Sequence, residues 1–172
     1  CSPTTFVFGK GTETQTGEYV RRFGGTKVLI HYGGGSVVRS GLLDRVKASL
    51  DQAGIGHCEL GGVQPNPRSG LVYEGIELAR RENVDFLLGL GGGSAIDSAK
   101  AIAMGVRDEG DFWDFYAGLR QPEKPLPIAT VVTIPAAGSE GSNSSVITLE
   151  DGMLKRGFGH PSIRPVFSIM NP

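Results

Sequence analysis

Two loops with the same sequence, Gly-Gly-Gly-Ser, each lie between an apolar segment and a helical pattern. The first occupies residues 33–36, and the second occupies residues 91–94 within the stretch GGGSAIDSAK. A helix start offers unpaired backbone N–H groups and about half a positive charge, so it binds phosphate. Glycine permits close approach because no Cβ stands in the way. The pattern therefore predicts two phosphate-binding loops that share one ligand.

A simpler interpretation of the second loop is helix capping, with Ser94 as the N-cap and Asp97 as its capping-box partner. This interpretation explains Ser94 and Asp97 but not the three successive glycines at 91–93. Each additional glycine in an ordered loop costs about 0.5–1 kcal/mol of conformational entropy. We therefore favour phosphate binding.

Composition sets limits on what the chain does. Of its 172 residues 39% are hydrophobic and 20% are charged, with a formal net charge of −1, which is typical of a soluble globular protein and excludes a basic nucleic-acid surface. No apolar run reaches the roughly 18 residues of a membrane span, and no signal peptide is evident. With only Cys1 and Cys58, a reducing, cytoplasmic location without membrane contact is predicted.

Strand and helix patterns alternate along the first 135 residues, which predicts an α/β fold with a doubly wound parallel sheet. Both glycine loops then lie at the carboxyl ends of strands, where such sheets bind ligands. A Pro-rich connection follows residue 105, and a hairpin with its turn at 150–152 and a last strand complete the chain. Strands are predicted at 5–9, 26–32, 56–60, 84–90 and 128–135, and helices at Glu13–Phe23, Val37–Ala53, Leu71–Glu82 and from the second glycine loop to about Met104.

The histidines do not form a metal site or a catalytic arrangement that spacing reveals. His31, His57 and His160 include no pair three or four residues apart, as two ligands on one helix would be. No Ser-His-Asp or Cys-His arrangement is evident either. We therefore expect this chain to bind a ligand rather than to supply the groups that make and break bonds.

Five motifs occur in an order that resembles the iron-containing alcohol dehydrogenases, in particular their butanol dehydrogenase branch. The resemblance implies a Rossmann-like N-terminal domain with an added β-hairpin, as in dehydroquinate synthase, and a helical C-terminal domain. In that family one Asp and three His of the C-terminal domain bind Fe²⁺ or Zn²⁺. We expect residues 1–172 to be the dinucleotide-binding domain alone, with the helical domain absent from this chain. The motifs are YGGGS at 32–36, PNP at 65–67, GGGSAIDSAK at 91–100, TIPAAGSEGSNSSVIT at 133–148 and KRGFG at 155–159.

The resemblance also implies which residues contact the cofactor. Gly92, Gly93 and Ser94 would hold the pyrophosphate, with Asp97 in the same turn. Pro67 would flank the adenosine. One departure concerns Ala137, where the family usually has Thr, so one hydroxyl contact is missing. The positions that would line the phosphates, ribose and nicotinamide are Thr133, Ser142 and Lys155.

The first glycine loop bears on the choice between NAD and NADP. An acid after the second strand pairs with the ribose hydroxyls in NAD-specific proteins, but no acid follows Tyr32 until Asp44. Small residues with a nearby arginine would admit the 2′-phosphate, so we predict NADP(H). In the alternative, Ser36 caps the helix and Arg39 points to solvent. The residues of this prediction are Gly34, Gly35, Ser36 and Arg39.

The resemblance implies a function for the whole enzyme, which is reversible hydride transfer between NADP(H) and a primary alcohol or aldehyde. This chain alone is expected to be inactive. Two alternatives stay open: an NAD-using enzyme like glycerol dehydrogenase or dehydroquinate synthase, and a non-catalytic nucleotide-binding module. Exposed sheet edges also leave a homodimer open.

Overall fold

A six-stranded parallel sheet forms the centre of the molecule, in the strand order β1-β8-β5-β4-β2-β3. The computed structural model describes residues 3–132 and 138–172, so the predictions for Thr133 and Ala137 lie outside the described residues. A separate antiparallel hairpin is formed by β6 and β7. The strands are β1 Thr5–Phe8, β2 Lys27–Tyr32, β3 Gly56–Leu60, β4 Phe86–Leu90, β5 Ile128–Val132, β6 Ser144–Leu149, β7 Leu154–Gly159 and β8 Phe167–Met170.

Helices cover both faces of the sheet, which confirms the predicted doubly wound α/β fold. Side chains of α1 to α3 pack on one face with Ile30 and Leu88, while those of α4 to α6 pack on the other with Leu29 and Leu87. Successive strand residues point to opposite faces, so both faces of the central strands are apolar. The helices are α1 Thr16–Arg22, α2 Ser36–Arg39, α3 Leu42–Gln52, α4 Ser69–Arg81, α5 Gly93–Gly105 and α6 Trp113–Tyr116.

Two predicted elements differ from the structure. The single helix predicted over Val37–Ala53 is two helices, because Gly41 adopts a left-handed φ of 78° between them. The long connection predicted after residue 105 contains α6, whose Phe115 and Tyr116 are buried in the core. Aromatic burial, rather than a helical repeat, stabilises this four-residue helix.

The packing of α5 on β4 positions the second glycine loop. A Cβ on Gly89 would lie 3.2 Å from the Cα of Ile96, so glycine allows the helix to approach the strand closely. The hairpin then packs against the outer side of α5 and ties it to the rest of the fold. Among the described residues, no helix is both long and apolar enough to cross a membrane.

Candidate functional site

A cleft of about 270 Å³ separates the two glycine loops. It forms because β2 and β4 are neighbours and the two loops follow their carboxyl ends. The structure thus brings together five of the predicted residues, which line one cleft: Gly34, Ser36, Gly92, Gly93 and Ser94. The other lining residues are Gly33, Val37, Val63, Pro65, Gly91 and Ala95.

The second loop enters α5 without a side-chain cap. Gly92 is the N-cap residue, and its backbone is extended with φ −96° and ψ −174°. Ser94 lies inside the first turn, so the capping interpretation is wrong. The first intrahelical bond is donated by Ile96 N–H to Gly92 O at 3.2 Å. The preceding N–H groups of the first turn have no acceptor within the helix and are free for an anion.

Two glycines of the cleft are explained neither by backbone conformation nor by packing within the protein. Gly34 and Gly92 both have φ outside the left-handed region, and a Cβ on either would meet no protein atom within 4 Å. By contrast, Gly91 has a φ of 117°, which explains its glycine by conformation. Each loop therefore keeps open space at one position where the fold itself would accept a side chain. The backbone at these two positions is thus open to a ligand.

Arg39 lies beside the first loop. Its guanidinium occupies the position where a Cβ on Gly35 would stand, and the side chain is exposed. Ser36 begins α2, whose N-cap residue Gly35 makes no side-chain cap, so Ser36 does not cap the helix. Among the described residues that line the cleft there is no Asp or Glu. The first loop therefore has a positive charge beside it, but neither Gly35 nor Arg39 is among the residues that line the cleft.

Asp97 points away from the cleft and into the protein. Its carboxylate accepts hydrogen bonds from Ser139 Oγ at 2.6 Å and from the backbone N–H of Val146 at 3.2 Å. Its backbone carbonyl accepts a third from Ser145 Oγ at 2.8 Å. Burial raises the pKa of Asp97, while the hydrogen bonds and nearby Lys100 counteract that shift. The structure thus gives Asp97 partners in the hairpin and in the segment before it.

Lys100 is a buried charged residue that the sequence analysis did not select. It is fully buried, and its ammonium donates to the carbonyl oxygens of Ser139, Ser142 and Ser144 at 2.8–2.9 Å. Burial lowers its pKa to about 8, although Asp97 and Glu140 act in the opposite direction. One signal was available in the sequence, because a lysine three residues after an acid stands within an otherwise apolar helix.

Three further predicted residues, Pro67, Ser142 and Lys155, do not line the cleft and lie on or next to the hairpin. Lys155 of β7 donates to Asn66 Oδ1 at 2.9 Å, and the carbonyl of the adjacent Pro67 accepts from Thr148 N–H at 2.8 Å. These bonds tie the PNP turn to the hairpin. Ser142 contributes its carbonyl to Lys100. Pro67, Lys155 and Ser142 therefore lie on structure that is connected to α5.

His31 anchors the other side of α5. Its Nδ1 lies 2.8 Å from the Leu60 carbonyl, which only accepts, so Nδ1 carries the proton and Nε2 accepts from Ser98 Oγ at 2.7 Å. Burial lowers the pKa of His31 to about 4, so the imidazole is neutral at pH 7. Both nitrogens are used within the fold. The described residues contain no group of three or more His, Cys, Asp or Glu side chains that could hold a metal ion.

Comparison with known proteins agrees with this geometry. The family model for iron-containing alcohol dehydrogenase matches residues 3–172. The chain belongs to this family. This confirms the resemblance that the five motifs indicated.

Relatives in the family include dehydrogenases and a reductase. The chain is 45% identical over 171 residues to probable NADH-dependent butanol dehydrogenase 1 of Bacillus subtilis, covering 99% of this chain and 44% of the relative. It is 35% identical to an NADPH-dependent aldehyde reductase of Escherichia coli, covering 99% and 44%. The crystal structure of NADH-dependent butanol dehydrogenase A from Thermotoga maritima matches with a TM-score of 0.97 and 45% identity, covering 100% of this chain and 43% of that one. The chain thus spans less than half the length of these family members.

Proposed function

We propose that the chain binds a nicotinamide dinucleotide in the cleft between the glycine loops, as the cofactor-binding part of an alcohol dehydrogenase or aldehyde reductase. The observation that carries this proposal is the pair Gly34 and Gly92, which the fold does not require to be glycine. They occur in both loops and face one cleft, as a single extended ligand with several phosphate contacts would need. The relatives' names supply the class of reaction.

In this proposal the first-turn N–H groups of α5 hold the diphosphate, since they are unpaired and lie at the positive end of the helix. Gly92 and Gly93 let the phosphate oxygens reach them. The bound nicotinamide supplies or accepts the hydride of a primary alcohol or aldehyde. For the full-length enzyme we propose that a metal, Fe²⁺ or Zn²⁺, is held by a helical domain, as the family's description as iron-containing supports. A cytoplasmic location and a homodimer are further proposals, supported by the low cysteine content and by the sheet edges.

For cofactor choice we propose NADP(H). The described lining of the cleft lacks a carboxylate that would repel a 2′-phosphate, and Arg39 lies against the first loop. A guanidinium binds a phosphate through charge-assisted hydrogen bonds. Ser36, at the start of α2, is a further hydroxyl donor at this end of the cleft.

A second candidate is NAD(H), and a specific observation favours it. The Bacillus and Thermotoga relatives, each 45% identical to the chain, are both described as NADH-dependent. The Escherichia coli relative described as NADPH-dependent is 35% identical. The two candidates place the diphosphate in the same cleft and differ at Arg39.

Calorimetric titration of the 172-residue chain with NADPH and with NADH, at one ionic strength, tests the proposal. We expect one site, with NADPH bound more tightly. At 100 times its Kd the bound cofactor should raise the free energy of unfolding by about 2.7 kcal/mol, which a melting experiment detects. Tighter binding of NADH would favour the second candidate. No binding of either dinucleotide would overturn the proposed function.

A further inference from the structure

Two charged side chains of α5 both reach the same segment of the chain. Asp97 and Lys100 lie three residues apart, on one side of the helix, one turn beyond the second glycine loop. Both contact residues 138–144, which we call the serine loop. The last residue of the serine loop, Ser144, is also the first residue of the hairpin strand β6. The helix that begins at the proposed diphosphate site is therefore joined to the serine loop by the buried Lys100 and the half-buried Asp97.

The ammonium of Lys100 is fully used within the fold. It has three N–H donors, and three carbonyls of the serine loop, those of Ser139, Ser142 and Ser144, accept at 2.8–2.9 Å. The hydroxyl oxygens of Ser139 and Ser142 lie further away, at 3.3 and 3.4 Å. Three carbonyls that converge on one buried cation fix the course of the loop.

Other charged groups act on Lys100 from three elements. Asp97 of α5 and Glu140 of the serine loop favour its charged form, while Arg164, beyond the hairpin, disfavours it. Ser139 connects the pair directly, because its hydroxyl donates to Asp97 and lies 3.3 Å from the ammonium. The Lys100 ammonium thus donates to carbonyl oxygens of the serine loop, while the Asp97 carboxylate accepts from a hydroxyl group of the same loop.

We propose that protonated Lys100 is a positioning residue, which holds the serine loop against α5 in the arrangement that binds the dinucleotide, so that loss of its proton in alkaline solution weakens dinucleotide binding. This proposal rests on the proposed function. Lys100 itself does not line the cleft. It acts through the loop that contains Ser142.

The chemistry of the neutral amine explains the effect. Deprotonated Lys100 keeps two N–H donors and gains a lone pair, so one of the three carbonyls loses its donor and faces the lone pair. A buried carbonyl without a partner is unfavourable, and the loop shifts to satisfy it. Because burial lowers the pKa of Lys100 to about 8, the change falls within an accessible range. The cofactor phosphates do not titrate there, since a phosphomonoester has its second pKa near about 6.

Unfolding caused by this group does not account for such a loss of affinity. The pKa of Lys100 is lower in the folded chain than its ordinary value of 10.5, so between pH 8 and 10.5 the unfolded chain binds more protons. The free energy of unfolding then rises with pH over this range through this residue. As the pH rises, Lys100 therefore holds the serine loop less well, while its contribution to the free energy of unfolding increases.

The test measures the Kd of NADPH between pH 7 and pH 9.5 for the wild type, Lys100→Met and the control Lys124→Met. Lys124 is exposed in the loop before β5, at the opposite rim of the sheet from the cleft. We expect wild-type affinity to fall about tenfold across this range, which corresponds to about 1.4 kcal/mol. Lys100→Met should bind weakly at pH 7 with no further loss up to pH 9.5. Lys124→Met should follow the wild type.

A ligand-free measurement separates this inference from the proposed function. Amide hydrogen exchange at pH 7 should be faster across 138–146 in Lys100→Met than in the wild type or Lys124→Met. If the wild type binds no dinucleotide, the proposed function fails and exchange alone decides whether Lys100 positions the loop. The inference would be overturned if Lys100→Met kept the affinity, the pH profile and the exchange rates of the wild type.

A second variant covers a failure of Lys100→Met to fold. Ser139→Ala removes only the hydroxyl between Asp97 and Lys100. We expect about threefold weaker NADPH binding at pH 7 and faster exchange across 138–146, in the same direction as for Lys100→Met. Unchanged binding and exchange in Ser139→Ala would count against the inference.

Discussion

The two glycine loops have the same four-residue sequence but lead into different helices. The first enters α2, which has four residues and ends before Gly41 interrupts the helix with a left-handed φ of 78°. The second enters α5, which has thirteen residues, most of them buried. Because the helix dipole sums over aligned peptide units, α5 offers the stronger anion site. We infer that the second loop binds the diphosphate and that the first contributes open space and the charge of Arg39.

The helices also differ in how the fold holds them. Asp97, Ser98 and Lys100 of α5 are hydrogen-bonded to the hairpin, to β2 through His31, and to the serine loop. In α2, Val37 packs into the core while the other side chains are exposed. A short sequence motif therefore does not determine how much a loop contributes to binding. The helix behind the loop and its polar anchors determine that.

The largest expected effect concerns the anchor at His31. Its pKa is about 4 in the folded chain and 6.5 ordinarily, so between these values the unfolded chain binds more protons. The neutral imidazole therefore stabilises the fold above pH 6.5, and about 3 kcal/mol is lost as the pH falls towards 4. Urea unfolding from pH 4 to 7 should show this decrease in the wild type and a smaller one in His31→Asn. Parallel pH dependences in the two proteins would refute the role of His31 as a neutral anchor.

The next largest effect is expected from Gly92→Ala and Gly34→Ala, two variants that compare the contributions of the loops to NADPH binding. We expect NADPH binding to weaken about thirtyfold, or about 2 kcal/mol, for Gly92→Ala and about fivefold for Gly34→Ala. Neither Cβ meets the protein and neither φ is left-handed, so the free energy of unfolding should stay equal or rise by about 0.5 kcal/mol. Binding and stability thus change in opposite directions. Calorimetry and melting measure both, and a larger loss at Gly34 would reverse the comparison.

A smaller effect than that of Gly92→Ala concerns the charge of the first loop. Arg39→Ala should weaken NADPH binding about tenfold, or about 1.4 kcal/mol, and leave NADH binding unchanged, because we propose that the guanidinium binds the 2′-phosphate, which NADH lacks. Competition titrations of the two cofactors measure the ratio. Arg45→Ala provides a comparison, since Arg45 pairs with Glu13 away from the cleft. An equal loss for both cofactors would show that Arg39 does not discriminate between them.

Much of the fold was predictable from the sequence because it depends on short-range patterns. Strand β3 begins and ends at the predicted residues, and the hairpin of β6 and β7 has its turn where predicted. When apolar strands alternate with amphipathic helices, the connection rules allow only a few ways of ordering the strands in a parallel sheet. The break at Gly41 was less visible, since a glycine inside a helical pattern is often tolerated.

The sequence by itself determined the sheet, the two loops and the family, because motif order and periodicity are local properties that a chain carries before it folds. The tertiary structure alone decided which polar side chains became buried anchors. Lys100 meets carbonyls 39 to 44 residues away, and His31 meets Ser98, 67 residues away. Spacing along a chain does not reveal such partners, since they meet only when the sheet and its helices have packed. Burial then sets the pKa of each group.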